Sequence, residues 1–174
     1  MPKPQVFVVE GSKPWFSDRW EDKYHVVNID ESVSGQATVT CEGVTTMCNM
    51  FDRCINLTSI HLSTFDTSDI TDMADMFNSC LNLTSIDLSN FDTSNVKCMN
   101  HMFCNCPYIT SLDISSFDTS NVEDMRDMFA HCIRLTTIKG VIDMEYCKYR
   151  THMFYKCPKL TGITIKNPPL FAQW

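Results

Sequence analysis

A 26-residue repeat runs through most of this 174-residue chain and constrains its fold more than any other feature. A Met-Phe pair marks each copy, and a cysteine follows each pair. The pairs are Met50-Phe51, Met76-Phe77, Met102-Phe103, Met128-Phe129 and Met153-Phe154, and the cysteines are Cys54, Cys80, Cys106, Cys132 and Cys157. Units of this length stack on one another, because a single unit cannot bury its own apolar face.

Two spacings of apolar residues alternate within each repeat. Leu83, Ile86 and Leu88 end in the period-two alternation that predicts a strand with one buried face. The next apolar residues are three or four positions apart, which predicts a short helix. They are Val96, Met99, Met102, Phe103 and Cys106, and we expect them to be buried as one stripe. We expect the carboxylates beside the corresponding stripes to be exposed, namely Asp72, Asp75, Asp124 and Asp127.

The segment 83–96 reads Leu-Thr-Ser-Ile-Asp-Leu-Ser-Asn-Phe-Asp-Thr-Ser-Asn-Val. This wording closely resembles the BspA-like leucine-rich repeat family, and the resemblance covers about residues 44–166. It agrees with the repeat period and implies an α/β leucine-rich-repeat solenoid, with a parallel β-sheet on one side and short helices on the other. It also implies protein binding and adhesion rather than catalysis.

The two ends of the chain depart from the repeat. We expect residues 1–43 to form an N-terminal cap, because the first face of a stack needs an atypical unit to cover it. Its aromatic residues Trp15, Phe16, Trp20 and Tyr24 suit that role, and a specialised partner-binding patch is the alternative. We expect residues 44–166 to form the repeat domain and residues 167–174 a C-terminal tail.

The charge and the apolar pattern of the chain each argue against one class of partner. Fourteen basic and twenty-one acidic residues give a net charge of −7, whereas nucleic-acid binding depends on clustered lysine and arginine. No segment approaches the roughly 20 apolar residues of a membrane-spanning helix.

The charge is divided unevenly along the chain. Residues 50–130 hold three basic and twelve acidic residues, whereas residues 131–174 hold seven basic and two acidic residues. This division would orient a protein partner or a second copy of the chain, with plain solvated surfaces as the alternative.

The ten cysteines are expected to be reduced thiols. The first residues lack the apolar segment of a secretory signal, which predicts a cytoplasmic location. If the chain is an excised domain, the cell surface is the alternative. The recurring cysteine column is interpreted as structural, since a small and weakly polar side chain packs well beside an apolar stripe.

Two groups of residues could in principle bind a metal ion, but we do not expect either to do so. Cys98 and His101 share a predicted helix face, and Cys104 could approach from the next turn, so the three could supply two thiolates and an imidazole to zinc. No second Cys-x-x-Cys accompanies them, so an incidental cluster is favoured. The Asp66, Asp92 and Asp118 ladder could hold calcium, but Asp-Thr-Ser before a helix is better explained by N-capping. We therefore expect no metal, no cofactor and no catalytic residues.

The exposed strand positions are the candidate partner-binding residues. They are Ser59, His61, Ser85, Asp87, Ser111, Asp113, Thr137 and Lys139. Short hydroxyl side chains lose little entropy on binding and adapt their hydrogen bonds, which suits a large protein surface. The sequence thus predicts a non-catalytic protein-interaction module, such as a virus- or phage-encoded host-interacting or inhibitor protein. The alternative is a surface or adhesion module of a bacterial or protist BspA-like protein.

Overall fold

Eight strands are present in the computed structural model, which describes residues 5–11, 25–30, 36–42, 44, 46–62 and 64–168. The strands are β1 (Gln5–Gly11), β2 (His25–Asp30), β3 (Gln36–Glu42), β4 (Leu57–His61), β5 (Ser85–Asp87), β6 (Ser111–Asp113), β7 (Thr137–Asp143) and β8 (Gly162–Lys166). None of the described residues lies in a helix. No helix in this part of the chain is therefore long and apolar enough to cross a membrane.

The strands form two sheets. One has five strands in the order β2-β3-β1-β4-β5, and the other has three in the order β6-β7-β8. Within each sheet the strands of the repeats pair in parallel. The N-terminal strands pair antiparallel, because β3 lies between β1 and β2 and β1 also pairs with β4. The N-terminal strands therefore cover the free edge of the first repeat strand. The aromatic residues Trp15, Phe16, Trp20 and Tyr24 lie outside the described residues.

The predicted α/β leucine-rich-repeat solenoid is wrong, because turns stand where short helices were expected and the strands form two separate sheets. The residues concerned form five turn segments, 47–54, 73–80, 99–106, 125–132 and 150–157. In the second segment, the N–H of Met76 donates to Met73 O (3.3 Å). The N–H of Phe77 instead donates to Met102 O in the next repeat (2.9 Å). In an α-helix the N–H of Phe77 would donate to Met73 O, four residues earlier in the same segment.

A left-handed residue recurs every fourth position in these segments and prevents a helix from continuing. In the second segment these residues are Asp75 and Ser79, with φ of 56° and 58°. The Asp75 position holds asparagine, aspartate or histidine in all five segments. These are the non-glycine residues that best tolerate this conformation. The column was visible in the sequence and is the signal that could have predicted turns.

The expected apolar stripe is buried, as the sequence predicted. Val96, Met99, Met102, Phe103 and Cys106 are all fully inaccessible to solvent. The phenylalanine rings of successive turn segments stack face to face, with centroid distances of 5.4 to 5.8 Å from Phe51 to Phe154. Each ring thus contacts the rings of adjacent repeats, which makes one continuous core.

The Phe-Asp-Thr-Ser motif joins adjacent repeats instead of capping helices. The Thr93 hydroxyl is buried, donates to Asp118 O (2.9 Å) and accepts from the Asp118 N–H (2.8 Å). Thr67 makes the same two bonds to Asp92. The Asp92 carboxylate accepts from the N–H (3.0 Å) and hydroxyl (2.6 Å) of Ser94. The predicted capping role is wrong, because no helix begins here and these oxygens stabilise turns.

Candidate functional site

The predicted contact residues lie in register on the strands of the repeats. Ser59 pairs with Ser85 and His61 with Asp87 across β4 and β5. Ser111 pairs with Thr137 and Asp113 with Lys139 across β6 and β7. We call this surface, with its eight predicted contact residues, the sheet face. Seven of the eight side chains are exposed or partly exposed, but Ser59 is buried (7% exposed), contrary to the expectation that it is displayed.

The sheet face is interrupted between β5 and β6. Elsewhere the strand entries are joined, as by the Thr84 N–H to Thr58 O (2.9 Å) and the Thr136 N–H to Thr110 O (2.8 Å). Among the described residues, no corresponding bond joins Thr110 to Thr84. The turn segments remain bonded at the same junction, where the N–H of Phe77 donates to Met102 O. The repeats are therefore separated at the sheet and held together on the opposite side.

A cleft of about 370 Å³ lies at this interruption. Its lining residues are Ile86, Asp87, Leu88, Ser89, Asp113, Ser115 and Ser116. The Ser116 hydroxyl bridges the junction by donating to Leu88 O (2.8 Å). Two apolar residues, two carboxylates and three hydroxyls therefore line this space.

The two carboxylates of the cleft differ in their surroundings. Lys139 Nζ lies 2.7 Å from Asp113 Oδ2, and this bond, helped by Ser115, lowers the pKa of Asp113 to about 2. Hydrogen bonds from Ser89 lower the pKa of Asp87. Lys139 therefore neutralises Asp113, one of the predicted contact residues, so the sheet face has less unpaired charge here than its sequence indicates.

The Cys98, His101 and Cys104 group is not arranged as a metal centre. Cys98 Sγ lies 2.6 Å from Asn100 Oδ1, and His101 Nε2 lies 3.5 Å from Asp127 Oδ2. Burial raises the pKa of Cys98, and burial with the nearby charges of Asp127 and Asp75 raises that of Cys104 to about 11. Both thiols therefore favour the protonated form. No group of three or more potential ligands in the described part of the chain could hold a metal ion.

The carboxylates expected to be exposed are partly or wholly buried, so that expectation is wrong. Asp124 is 9% exposed, accepts the Arg126 N–H (3.0 Å) and pairs with its guanidinium (2.6 Å). Asp72 accepts the Ala74 N–H (2.9 Å) in the same kind of turn. Asp75 and Asp127 are half-buried at the left-handed positions. The turn path gives Asp72 and Asp124 backbone N–H partners, and it places Asp75 beside Asn78 (3.1 Å) and Asp127 beside His101 (3.5 Å). A helix would have pointed these carboxylates into solvent.

The cysteine column has a hydrogen-bonding role in addition to packing. The thiol of Cys106 donates to Phe77 O (3.1 Å), and that of Cys132 donates to Phe103 O (3.1 Å). Cys80 and Cys157 make the same contact one repeat earlier and later. A thiol is a weak hydrogen-bond donor, but here it gives a buried backbone carbonyl a hydrogen-bond partner. Nine cysteines are free thiols, and the tenth, Cys41, has a side chain outside the described set.

Burial of these thiols predicts a loss of stability in alkaline solution. Burial raises the pKa of Cys132 from 9.0 to about 12. Between pH 9.0 and pH 12 the Cys132 thiol stays protonated in the folded state but loses its proton in the unfolded state. The contribution of Cys132 to the free energy of unfolding is therefore complete below pH 9.0 and falls as the pH rises toward 12. We expect urea denaturation in a reducing buffer to give a free energy of unfolding that falls by about 1.4 kcal/mol per pH unit for each protected thiol.

The Cys132→Ala variant is the control for that measurement. Its free energy of unfolding should fall less steeply with pH, because one protected thiol is gone. An unfolding free energy independent of pH from about pH 8 to pH 10 would contradict the burial of the column.

These features define a cysteine-rich repeat protein whose units are joined by backbone, threonine and thiol hydrogen bonds. The chain belongs to the family described as Mycoplasma protein of unknown function, DUF285, whose sequence profile matches residues 24–134 and 110–166. Searches of curated proteins and of solved structures gave no significant match.

Two surface features, one of them the cleft, were missed by sequence reasoning. The cleft depends on a break between β5 and β6, although Ser85 and Ser111 occupy the same column of the repeat. The exposed apolar residues Ile55, Leu81 and Ile133 also share one column, directly after the cysteines. The apolar column is visible in the sequence as a repeated position, but it lies outside the predicted strands, which hold the candidate partner-binding residues.

Proposed function

We propose that this chain is a non-catalytic protein-interaction module, related to BspA-like repeat proteins, that binds a protein partner through its sheet face. The observation that carries the proposal is the cleft between β5 and β6, where Asp87 and Asp113 lie beside the partly exposed side chain of Ile86. Concave, partly apolar positions of this kind accept the anchoring side chains of protein partners.

The chemistry of the cleft favours a lysine or arginine of the partner. Lys139 already illustrates this contact, since its ammonium group bonds to Asp113 from the next repeat. The position corresponding to Lys139 beside Asp87 is occupied by Asp113, so no lysine of the ladder pairs with Asp87 there. A cation from the partner would meet the Asp87 carboxylate, while its aliphatic part would contact the partly exposed side chain of Ile86.

A binding role is further supported by the state of the thiols. Burial raises the pKa of Cys80, Cys106 and Cys132, which makes these potential nucleophiles poorly reactive. Short polar side chains at Ser85, Ser111 and Thr137 add adaptable hydrogen-bonding groups to the sheet face.

The test is quantitative capture of partners with the wild-type protein and the Asp87→Lys variant, followed by binding kinetics with each captured protein. We expect Asp87→Lys to weaken binding by about tenfold or more, because it places a cation where the partner's cation would bind. Asp69→Lys is the matched control, with the same charge change at an exposed residue outside the sheet face. Equal binding by both variants would refute the sheet face as the binding surface.

A further inference from the structure

A row of exposed apolar residues runs along the corner where the turn segments lead into the strands. We call this row the corner ridge. Its exposed members are Ile55, Leu81, Ile133 and Pro158, and the half-buried Pro107 occupies the same position in the third repeat. Ile55 is 44% exposed, Leu81 37% and Ile133 48%. Large apolar side chains that recur in line on the surface indicate an interaction site, whereas single exposed ones do not.

Cations without carboxylate partners surround one end of the corner ridge. The Arg134 guanidinium lies over the Tyr108 ring (4.6 Å), and Lys156 Nζ lies over the Tyr155 ring (5.3 Å). Arg134, Lys156 and Lys159 form no ion pair among the described residues. By contrast, Arg126, Lys139, Lys148 and Lys166 each lie within 2.7 Å of a carboxylate oxygen.

The spacing of the ridge suits a helix better than a strand. Successive phenylalanine rings, four residues before each ridge position, are 5.4 to 5.8 Å apart. An α-helix has a pitch of about 5.4 Å and therefore presents one row of side chains at this interval. Same-face residues of an extended strand are about 6.6 Å apart and would lose register within a few repeats.

We propose that the corner ridge binds an amphipathic α-helix of a protein partner, aligned along the stack of repeats. The apolar row of the helix contacts Ile55, Leu81 and Ile133, and acidic residues near its C-terminus meet Arg134, Lys156 and Lys159. This direction is set by charge, because the C-terminal end of a helix carries partial negative charge. The site is separate from the sheet face, so it goes beyond the function proposed above.

The probe for this surface is a synthetic, alanine-based helical peptide of roughly 18 residues with blocked termini. It has leucine once per turn, and glutamates flank its last two leucines. We expect fluorescence anisotropy to give a dissociation constant in the range of about 10–100 μM. A peptide of the same composition with its glutamates near the N-terminus should bind about tenfold more weakly, because its charges meet no cations.

Two protein variants separate the apolar and the charged contributions. Ile133→Ser should weaken binding of the peptide without unfolding the protein, because the side chain is about half exposed. Arg134→Glu/Lys159→Glu should weaken it by about tenfold or more and reduce its dependence on salt. The matched control is Lys97→Glu/Lys148→Glu, which changes the same charge in the column before the turn segments and should leave binding unchanged.

Three results would overturn the proposal. They are absence of peptide binding up to about 1 mM, equal effects of the two double variants, and tighter binding of a duplex DNA of roughly 20 base pairs. Asp87→Lys is measured in parallel with the same peptide and should have no effect. Because the peptide assay needs no natural partner, its outcome is independent of the outcome for the sheet face.

Discussion

Replacing Thr93 with valine should lower the free energy of unfolding by about 2–4 kcal/mol. The hydroxyl is buried and serves both the N–H and the C=O of Asp118 in the next repeat. Valine has a similar shape but no hydroxyl, so it leaves a donor and an acceptor without partners. The measurement is urea denaturation monitored by circular dichroism, with the wild-type m-value as a check on two-state unfolding.

Thr84→Val is the matched control for this prediction. The Thr84 hydroxyl also donates to a neighbouring repeat, at 3.0 Å from Thr58 O, but this bond is exposed. The backbone N–H of Thr84 continues to serve the same carbonyl, so the change should stay within about 0.5 kcal/mol. Similar losses for the two variants would contradict the special role of the buried threonine column.

Replacing Phe103 with alanine should cost about 3–5 kcal/mol, through lost transfer free energy and the cavity that remains. The ring is fully buried and stacks on Phe77 at 5.5 Å and on Phe129 at 5.8 Å. Both adjacent repeats lose a contact, so the loss is a large part of the roughly 5–15 kcal/mol that stabilises a typical domain. Thermal and urea denaturation would both detect it.

Phe103→Leu provides the graded comparison. Leucine fills much of the same volume and should cost less than alanine, because a smaller cavity remains between the neighbouring rings. Melting of Phe103→Ala at the wild-type temperature would show that the ring does not connect the repeats.

Several structural features were predictable from residue patterns alone. The period identified the stacked units, and the three- and four-residue spacing identified the buried stripe of Met99, Met102 and Phe103. The columns on the sheet face were also predicted in register within each strand pair, as for His61 with Asp87. These predictions succeeded because burial depends on side-chain chemistry that recurs along the chain.

The predicted helices failed for a physical reason. Helical and turn paths can both place Met73, Met76 and Phe77 on one buried side, so apolar spacing does not distinguish them. The distinction lies in the donors, since the N–H groups of Asp75 and Phe77 bond to the following repeat instead of to the same segment. The column of asparagine, aspartate and histidine indicates turns, because these residues tolerate the left-handed conformation that ends a helix.

The sequence by itself determined that 26-residue units stack and which side chains enter the core. Tertiary structure decided the backbone path, because the hydrogen-bond partners of a turn segment lie one full repeat away. It also decided the interruption between β5 and β6, where similar sequences separate at the sheet while the turn segments stay bonded. Near-identical repeats contain no local signal for the junction that opens, since the contacts between whole repeats set the spacing at each junction.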